Sequence, residues 1–234
     1  MVNLNIDGRL TAISNMICGD VIADVGSDHA YLPIWLYLNK KIKKAYALDI
    51  SENCIKKIYE NLEKYNISTE VITPVLSDGL SCFADDVDCP FINSEFNVVI
   101  AGMGGENIAE IMKKAQGFKS AEFILQPNSK VEILREFLYK NRYDIVTEMI
   151  VEDENRLYNI MKAQYTGVLY NPEPLEIIAG KNITHELYIK KIIKRLSDIL
   201  ADLEIAGDEK YNIYTEFGFY RDIEGYIKKL ERLI

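Results

Sequence analysis

The chain alternates short apolar runs with amphipathic stretches, and that alternation limits its fold more than any other feature. Residues 20–26, 44–49, 70–75, 96–101 and 121–125 read as strands, and 30–39, 52–65, 105–115 and 130–141 as helices. A mainly parallel sheet covered on both faces is the architecture that buries such a pattern. A further helix, from Arg9 to Ile17, precedes the first strand. It places Leu10, Ile13, Met16 and Ile17 on one face, and Asp7 caps it.

The rhythm changes after residue 141. Tyr143 to Val151 and Leu157 to Gln164 are strand-like runs around the charged turn 152–156, which predicts an antiparallel hairpin closing the sheet. Beyond Pro172 and Pro174, apolar residues recur at helical spacing from Leu187 to Leu203 and from Ile223 to Ile234. With Gly207 and Gly218 between them, the two stretches predict an antiparallel helical pair. The boundary is expected near residue 165, giving an α/β domain over 1–164 and a helical domain over 165–234.

A length of 234 residues and 48% apolar content suit one α/β domain with a smaller appendage. Residues 1–9 hold no apolar signal segment, and no run reaches the roughly 18 apolar residues of a membrane span. A cytoplasmic protein without a membrane partner is expected. Cys18, Cys54, Cys82 and Cys89 show no C-x-x-C spacing, and two histidines are too few for a zinc site, so no metal is expected and the thiols read as buried or incidental. The net charge of −9 argues against indiscriminate nucleic-acid binding. The acidity lies in residues 1–161, with 16 Lys and Arg against 24 Asp and Glu. Basic clusters remain at Lys40, Lys41, Lys43 and Lys44 and at Lys190, Lys191, Lys194 and Arg195. Each alone reads as a solvated helix end or face.

In open α/β sheets ligands bind beyond the carboxyl ends of the strands. Here those ends are polar: Gly26-Ser-Asp-His29, Asp49 with Ile50, Ser77-Asp-Gly79, Gly102-Met-Gly-Gly105 and Gln126-Pro-Asn128. The first loop, from Asp24 to Tyr31, has the shape of a nucleotide-binding turn but carries Asp28 where G-x-G-x-x-G has its second glycine. A carboxylate there repels a pyrophosphate, whereas Asp24 and Asp28 together attract a cation. S-adenosylmethionine, with its sulfonium and ammonium groups, is such a ligand. Asp49 lies 23 residues beyond Gly26, near the separation at which an acid takes ribose hydroxyls. Its alternative reading is a helix cap beside Ser51. Asp78 reads equally as a turn residue and as an acceptor for the adenine amino group. Gly102 and Gly104 let the backbone pass close to a ligand, and the missing Gly-Lys-Ser/Thr ending speaks against a triphosphate site.

Taken in order, Asp24-Val-Gly-Ser-Asp-His-Ala-Tyr-Leu-Pro33, Ser77-Asp-Gly-Leu80, Ile100-Ala-Gly-Met-Gly-Gly105 and Leu125-Gln-Pro-Asn128 with Leu138-Tyr-Lys140 resemble the bacterial tRNA (adenine-22-N1)-methyltransferase family over about residues 1–164. The resemblance implies a Rossmann-like class I S-adenosylmethionine-dependent methyltransferase sheet ending in an antiparallel hairpin, plus a C-terminal α-helical hairpin that is coiled-coil-like and binds tRNA. It implies methylation of N1 of adenine 22 in tRNA. The cofactor would be held by Asp24, Gly26, Ser27, His29, Asp49, Ile50, Asp78, Gly79, Ala101, Gly102, Met103 and Gly104. Asp28 would stabilise the positive charge of the methylated ring, Gln126 and Asn128 would hold the adenine edge, and Tyr31 and Pro127 would contact the base. Arg9 and the basic clusters would take tRNA phosphates. From the residues alone two other readings stay open: a methyltransferase of a small molecule or protein, and a noncatalytic scaffold that binds RNA or protein. A monomer is expected.

Overall fold

The computed structural model describes residues 4–83, 96–115, 117–206, 220 and 222–234. Its contacts divide the chain into two compact units, Met1–Leu169 and Tyr170–Ile234.

The first unit begins with α1 (Gly8–Met16), whose N-cap Asp7 accepts from the Leu10 N–H at 2.6 Å. There follow β1 (Val21–Val25), α2 (Tyr31–Leu38), β2 (Lys44–Asp49), α3 (Glu52–Tyr65) and β3 (Ile72–Leu76). Then come β4 (Asn97–Gly104), α4 (Gly105–Lys114), β5 (Glu122–Ser129), α5 (Val131–Lys140), β6 (Tyr143–Asp153) and β7 (Arg156–Tyr165). The seven strands form one sheet in the order β3-β2-β1-β4-β5-β7-β6. All pairings from β3 to β5 are parallel, and β7 is antiparallel to both neighbours. The chain therefore forms the class I methyltransferase sheet.

Local chemistry accounts for the element ends. Ser51 caps α3 by accepting from the Cys54 N–H, and Asn66 ends it in the left-handed region, φ 55°. Glu154 and Asn155 join β6 to β7 with φ of 47° and 62°, the two-residue turn whose twist matches that of the flanking strands. The central strand β1 is buried almost throughout because α helices cover both faces; Ile22 and Ala23 have no exposure. β4 and β5 run further than their apolar cores, to Gly104 and Ser129. Their ladder shifts register between Ala101 and Met103 and again before Gly104, so glycine and proline positions still pair.

The second unit contains α6 (Pro174–Ala179), α7 (Glu186–Ala206) and α8 (Ile223–Glu231). Glu173 forms a capping box with Glu176, and Pro174 occupies the first turn. Ile189, Ile192 and Leu196 of α7 pack with Ile223, Tyr226 and Leu230 of α8. The start of α7 (Ile189) and the end of α8 (Leu230) line one groove, so the two helices run antiparallel. Leu187, counted in the apolar stripe, is half exposed. Gly207, Gly218 and Cys89 lie outside the described residues. Cys18, Cys54 and Cys82 are not buried, so the expectation of buried thiols does not hold for these three. No described helix is long and apolar enough to cross a membrane.

Candidate active site

The carboxyl ends of β1 to β4 open onto a cavity of about 460 Å³. Gly26 lines it with φ +74°, and a Cβ at that position would fall 2.1 Å from the Met103 methyl. Glycine here lets Met103 close over the first loop. Asp49, Ile50, Asp78, Gly79, Ala101 and Gly102 share the lining. The opposite wall comes from α4 through Asn107, Glu110, Ile111 and Lys114, which the strand-end reading misses. Their signal is a stripe at 107, 110–111 and 114, on the face turned away from buried Ile108, Ala109 and Met112. Lys114 is ion-paired with Asp78, so that carboxylate is tied to α4.

Asp49 braces the turn before α3, whose cap is Ser51, and its side chain borders the cavity. Its two oxygens accept the backbone N–H of Asp28 at 3.1 Å and of Ser51 at 2.9 Å, and it still lines the cavity. Each oxygen keeps a lone pair for a ligand hydroxyl. Asp24 and Ser27 do not line the cavity. Asp24 is buried at the end of β1 and accepts the Ser27 hydroxyl at 2.6 Å. Burial lifts its carboxyl from an ordinary 3.8 to about 6, against the pull of the Ser27 hydrogen bond and of Arg9, with Asp49 adding to the rise.

The rest of the first loop turns toward α3. Asp28 has φ +50°, and its carboxylate lies 3.4 Å from the Cys54 thiol, 3.8 Å from Lys57 Nζ and 3.4 Å from His29 Nε2. The His29 ring stacks on Tyr31 with centroids 5.1 Å apart, and its carbonyl accepts from Asn61. Asp28, His29 and Tyr31 thus gather beside α3, whereas Gln126 and Asn128 gather around Gly102, so these predicted residues form two separate groups.

The second group is a closed set of amides. Gln126 Oε1 accepts from Arg9 Nη1 at 2.8 Å and from the Gly102 N–H at 3.1 Å. Gln126 Nε2 donates to Asn128 Oδ1 at 2.9 Å, and Asn128 Nδ2 donates to the Gly102 carbonyl at 2.7 Å. Gly102 thus lines the cavity and anchors both amides. The tripeptide lies inside β5, not after it: Gln126 is fully buried, Pro127 is buried opposite Met103, and Asn128 is the exposed end. Burial leaves Pro127 no open face for a base. Gly104 is the N-cap of α4, outside the lining, and Gly105 packs against the Lys130 carbonyl.

Arg9 is directed inward. Its guanidinium lies 5.8 Å from the Tyr158 ring centroid and 3.5 Å from Asp7, with 20% of the side chain exposed. The lysines after α2 are also engaged: Lys41 reaches Ser14 and Asn15 of α1, Lys43 pairs with Asp20, and Lys44 lies over Tyr46. Lys190 pairs with Glu186 within α7. Among the described residues no three His, Cys, Asp or Glu side chains are gathered to hold a metal ion.

The chain is similar to known proteins in sequence and in fold. The profile of a methyltransferase domain matches residues 6–161. The tRNA (adenine(22)-N(1))-methyltransferase of Bacillus subtilis is 33% identical over 168 residues, 70% of this chain and 67% of that protein. The crystal structure of the B. subtilis m1A22 tRNA methyltransferase TrmK superposes with a TM-score of 0.78 at 25% identity, covering 99% of this chain and 100% of that one. M. capricolum TrmK, solved with its natural cofactor product S-adenosyl-homocysteine, gives 0.76 at 28% identity over 97% of this chain and 96% of that one. By sequence identity and by superposition, the chain belongs to the tRNA (adenine(22)-N(1))-methyltransferase family.

Proposed function

We infer that this protein transfers a methyl group from S-adenosylmethionine to N1 of adenine 22 in tRNA. The observation that carries the reading is the position of Gly102, which lines the cofactor-sized cavity while its N–H and carbonyl hold Gln126 and Asn128. The residues present fit the cofactor. Asp49 offers lone pairs for ribose hydroxyls, Ile50, Met103 and Ile111 give apolar cover, and buried Asp24, behind the lining and bonded to Ser27, adds negative charge that suits a cation when ionised. When bound, the cofactor supplies an electrophilic methyl on a positively charged sulfur.

The protein's part is then positioning and charge stabilisation. Adenine N1 attacks through an in-plane lone pair, so no base has to remove a proton first. Asn128 Oδ1 retains one lone pair beyond the Gln126 hydrogen bond, which suits the adenine amino group. That hydrogen bond strengthens as the ring becomes cationic. Asp28, committed to α3, stabilises charge from a distance at most. N1 lies on the pairing edge, so the base must leave any stack or pair before it reacts. The helical unit, Tyr170–Ile234, serves as tRNA-binding surface. The reading needs one chain, no metal ion, and a cytoplasmic setting where tRNA is available.

Incubation with methyl-labelled S-adenosylmethionine and bacterial tRNA, followed by mapping of the modified base, tests it. Label at N1 of adenine 22 is expected. Label at an exocyclic amine, or in protein or small molecules instead of tRNA, overturns it.

A further inference from the structure

Arg9 is the obvious cation near the site, and its place at the edge of the first unit suggests a phosphate ligand. Its contacts say otherwise. Four-fifths of the side chain is covered, the guanidinium donates to Gln126, and Tyr158 lies beneath it. The hairpin fixes the start of α1 as well, because Asp153 accepts from the Gly8 N–H at 3.0 Å.

The chemistry of the amide set gives that placement a purpose. A Gln amide has two ends of nearly equal shape, and its neighbours decide which end is oxygen. Arg9 and the Gly102 N–H can only donate, so the Gln126 atom between them must be Oε1. Nε2 must then donate to Asn128 Oδ1, and Asn128 Nδ2 must donate to the Gly102 carbonyl. A reversed Gln126 would set its NH2 against two donors, one of them charged. Without Arg9 it would meet only the Gly102 N–H. With Gln126 fully buried, no bulk water can replace the lost partner.

We propose that Arg9 is a positioning residue that fixes the orientation of Gln126, and through it the acceptor that Asn128 presents to the substrate base, and is not a phosphate ligand. This rests on the methyltransferase reading above for its substrate, though the coupling of Arg9 to Gln126 can be measured without any substrate.

The experiment compares Arg9→Gln, Arg9→Lys, Gln126→Ala and Arg9→Gln with Gln126→Ala, using tRNA and S-adenosylmethionine. Arg9→Gln is expected to lower kcat about a hundredfold, the scale of a small misplacement near reacting groups. The KM for tRNA and its salt dependence should stay near wild type. Arg9→Lys, which still places a donor near Oε1, should recover part of the rate. In the Gln126→Ala background, loss of Arg9 should add almost nothing. A raised KM with a shallower salt slope and preserved kcat would overturn the proposal and make Arg9 a phosphate contact. Full additivity of the two substitutions in kcat would also overturn it. Thermal melts of the same four variants give the coupling independently: non-additive melting shifts support it, and additive ones count against it. Should wild-type enzyme fail to methylate adenine 22, the functional reading falls while the melts still decide the coupling.

Discussion

Replacing Asp24 by Asn should make the protein more stable at neutral pH and worse at holding its cofactor. Asp24 is buried, and burial raises its carboxyl from 3.8 to about 6. In the unfolded chain the same group ionises near its ordinary value. Below pH 3.8 both states hold the proton and the group has no effect. Between 3.8 and about 6 the folded state holds more protons, so stability falls as pH rises through that window. Above it the full penalty applies, and a shift of about two units corresponds to roughly 3 kcal/mol. Asn keeps an acceptor for the Ser27 hydroxyl and carries no charge. The variant should therefore gain up to about 3 kcal/mol at pH 7.5, nothing at pH 3.5, and lose the slope between them. Urea titrations followed by fluorescence of Trp35, the single tryptophan, report on the first unit because this residue packs against its core. Calorimetry at pH 7.5 should show weaker binding of S-adenosylmethionine. Wild-type stability that stays flat from pH 4 to 7, or a variant that keeps the wild-type slope, would refute the reasoning.

Three other expectations follow from the packing and the site. Gly105→Ala would place a Cβ 2.3 Å from the Lys130 carbonyl oxygen, forcing α4 from the start of α5; a loss of about 1–3 kcal/mol is expected in the same titration, against no loss for Gly117→Ala, whose Cβ meets nothing within 4 Å. Arg135 and Glu148 form an ion pair whose side chains are 0% and 2% exposed, so Arg135→Met should cost about 3–5 kcal/mol by stranding the carboxylate. Arg135→Met with Glu148→Leu should recover most of that loss in thermal melts; a double variant as unstable as the single one would contradict the account. Asp49→Ala should weaken cofactor binding by about tenfold to a hundredfold, as lost hydrogen bonds to a charged group do, and unchanged calorimetric affinity would remove Asp49 from the site.

The parallel core and the caps were legible because they follow from periodicity and from single polar residues. Ser51 and Asp7 start α3 and α1 where their side chains predict, and the charged turn before Arg156 reverses the chain as its composition requires. The strand ends were harder. Gly102 to Gly104 and Gln126 to Asn128 look like loops by residue type, yet Met103, Gly104, Gln126 and Pro127 find partners in the ladder while Gly102, with φ +80°, is skipped at the register shift. Sequence also gathers Asp28 with Gln126, since both follow strands. The direction of Asp28 depends on its positive φ and on Cys54 and Lys57, which are distant in the chain and become neighbours only when α3 docks. The wall supplied by Asn107 and Lys114 was hidden because α4 presents an ordinary polar face.

The bond from Gly8 to Asp153 spans 145 residues, and that from Arg9 to Gln126 spans 117. These are among the most remote contacts the first unit can make, and loop closure delays such contacts during folding. During synthesis the strands and helices that line the cavity are complete once Lys114 has emerged, whereas Tyr158 and Asp153 arrive some forty residues later. The cofactor pocket can thus assemble on the ribosome while α1 waits for the hairpin. A chain interrupted in between would carry the means to bind a methyl donor without the ordered amides that direct its use.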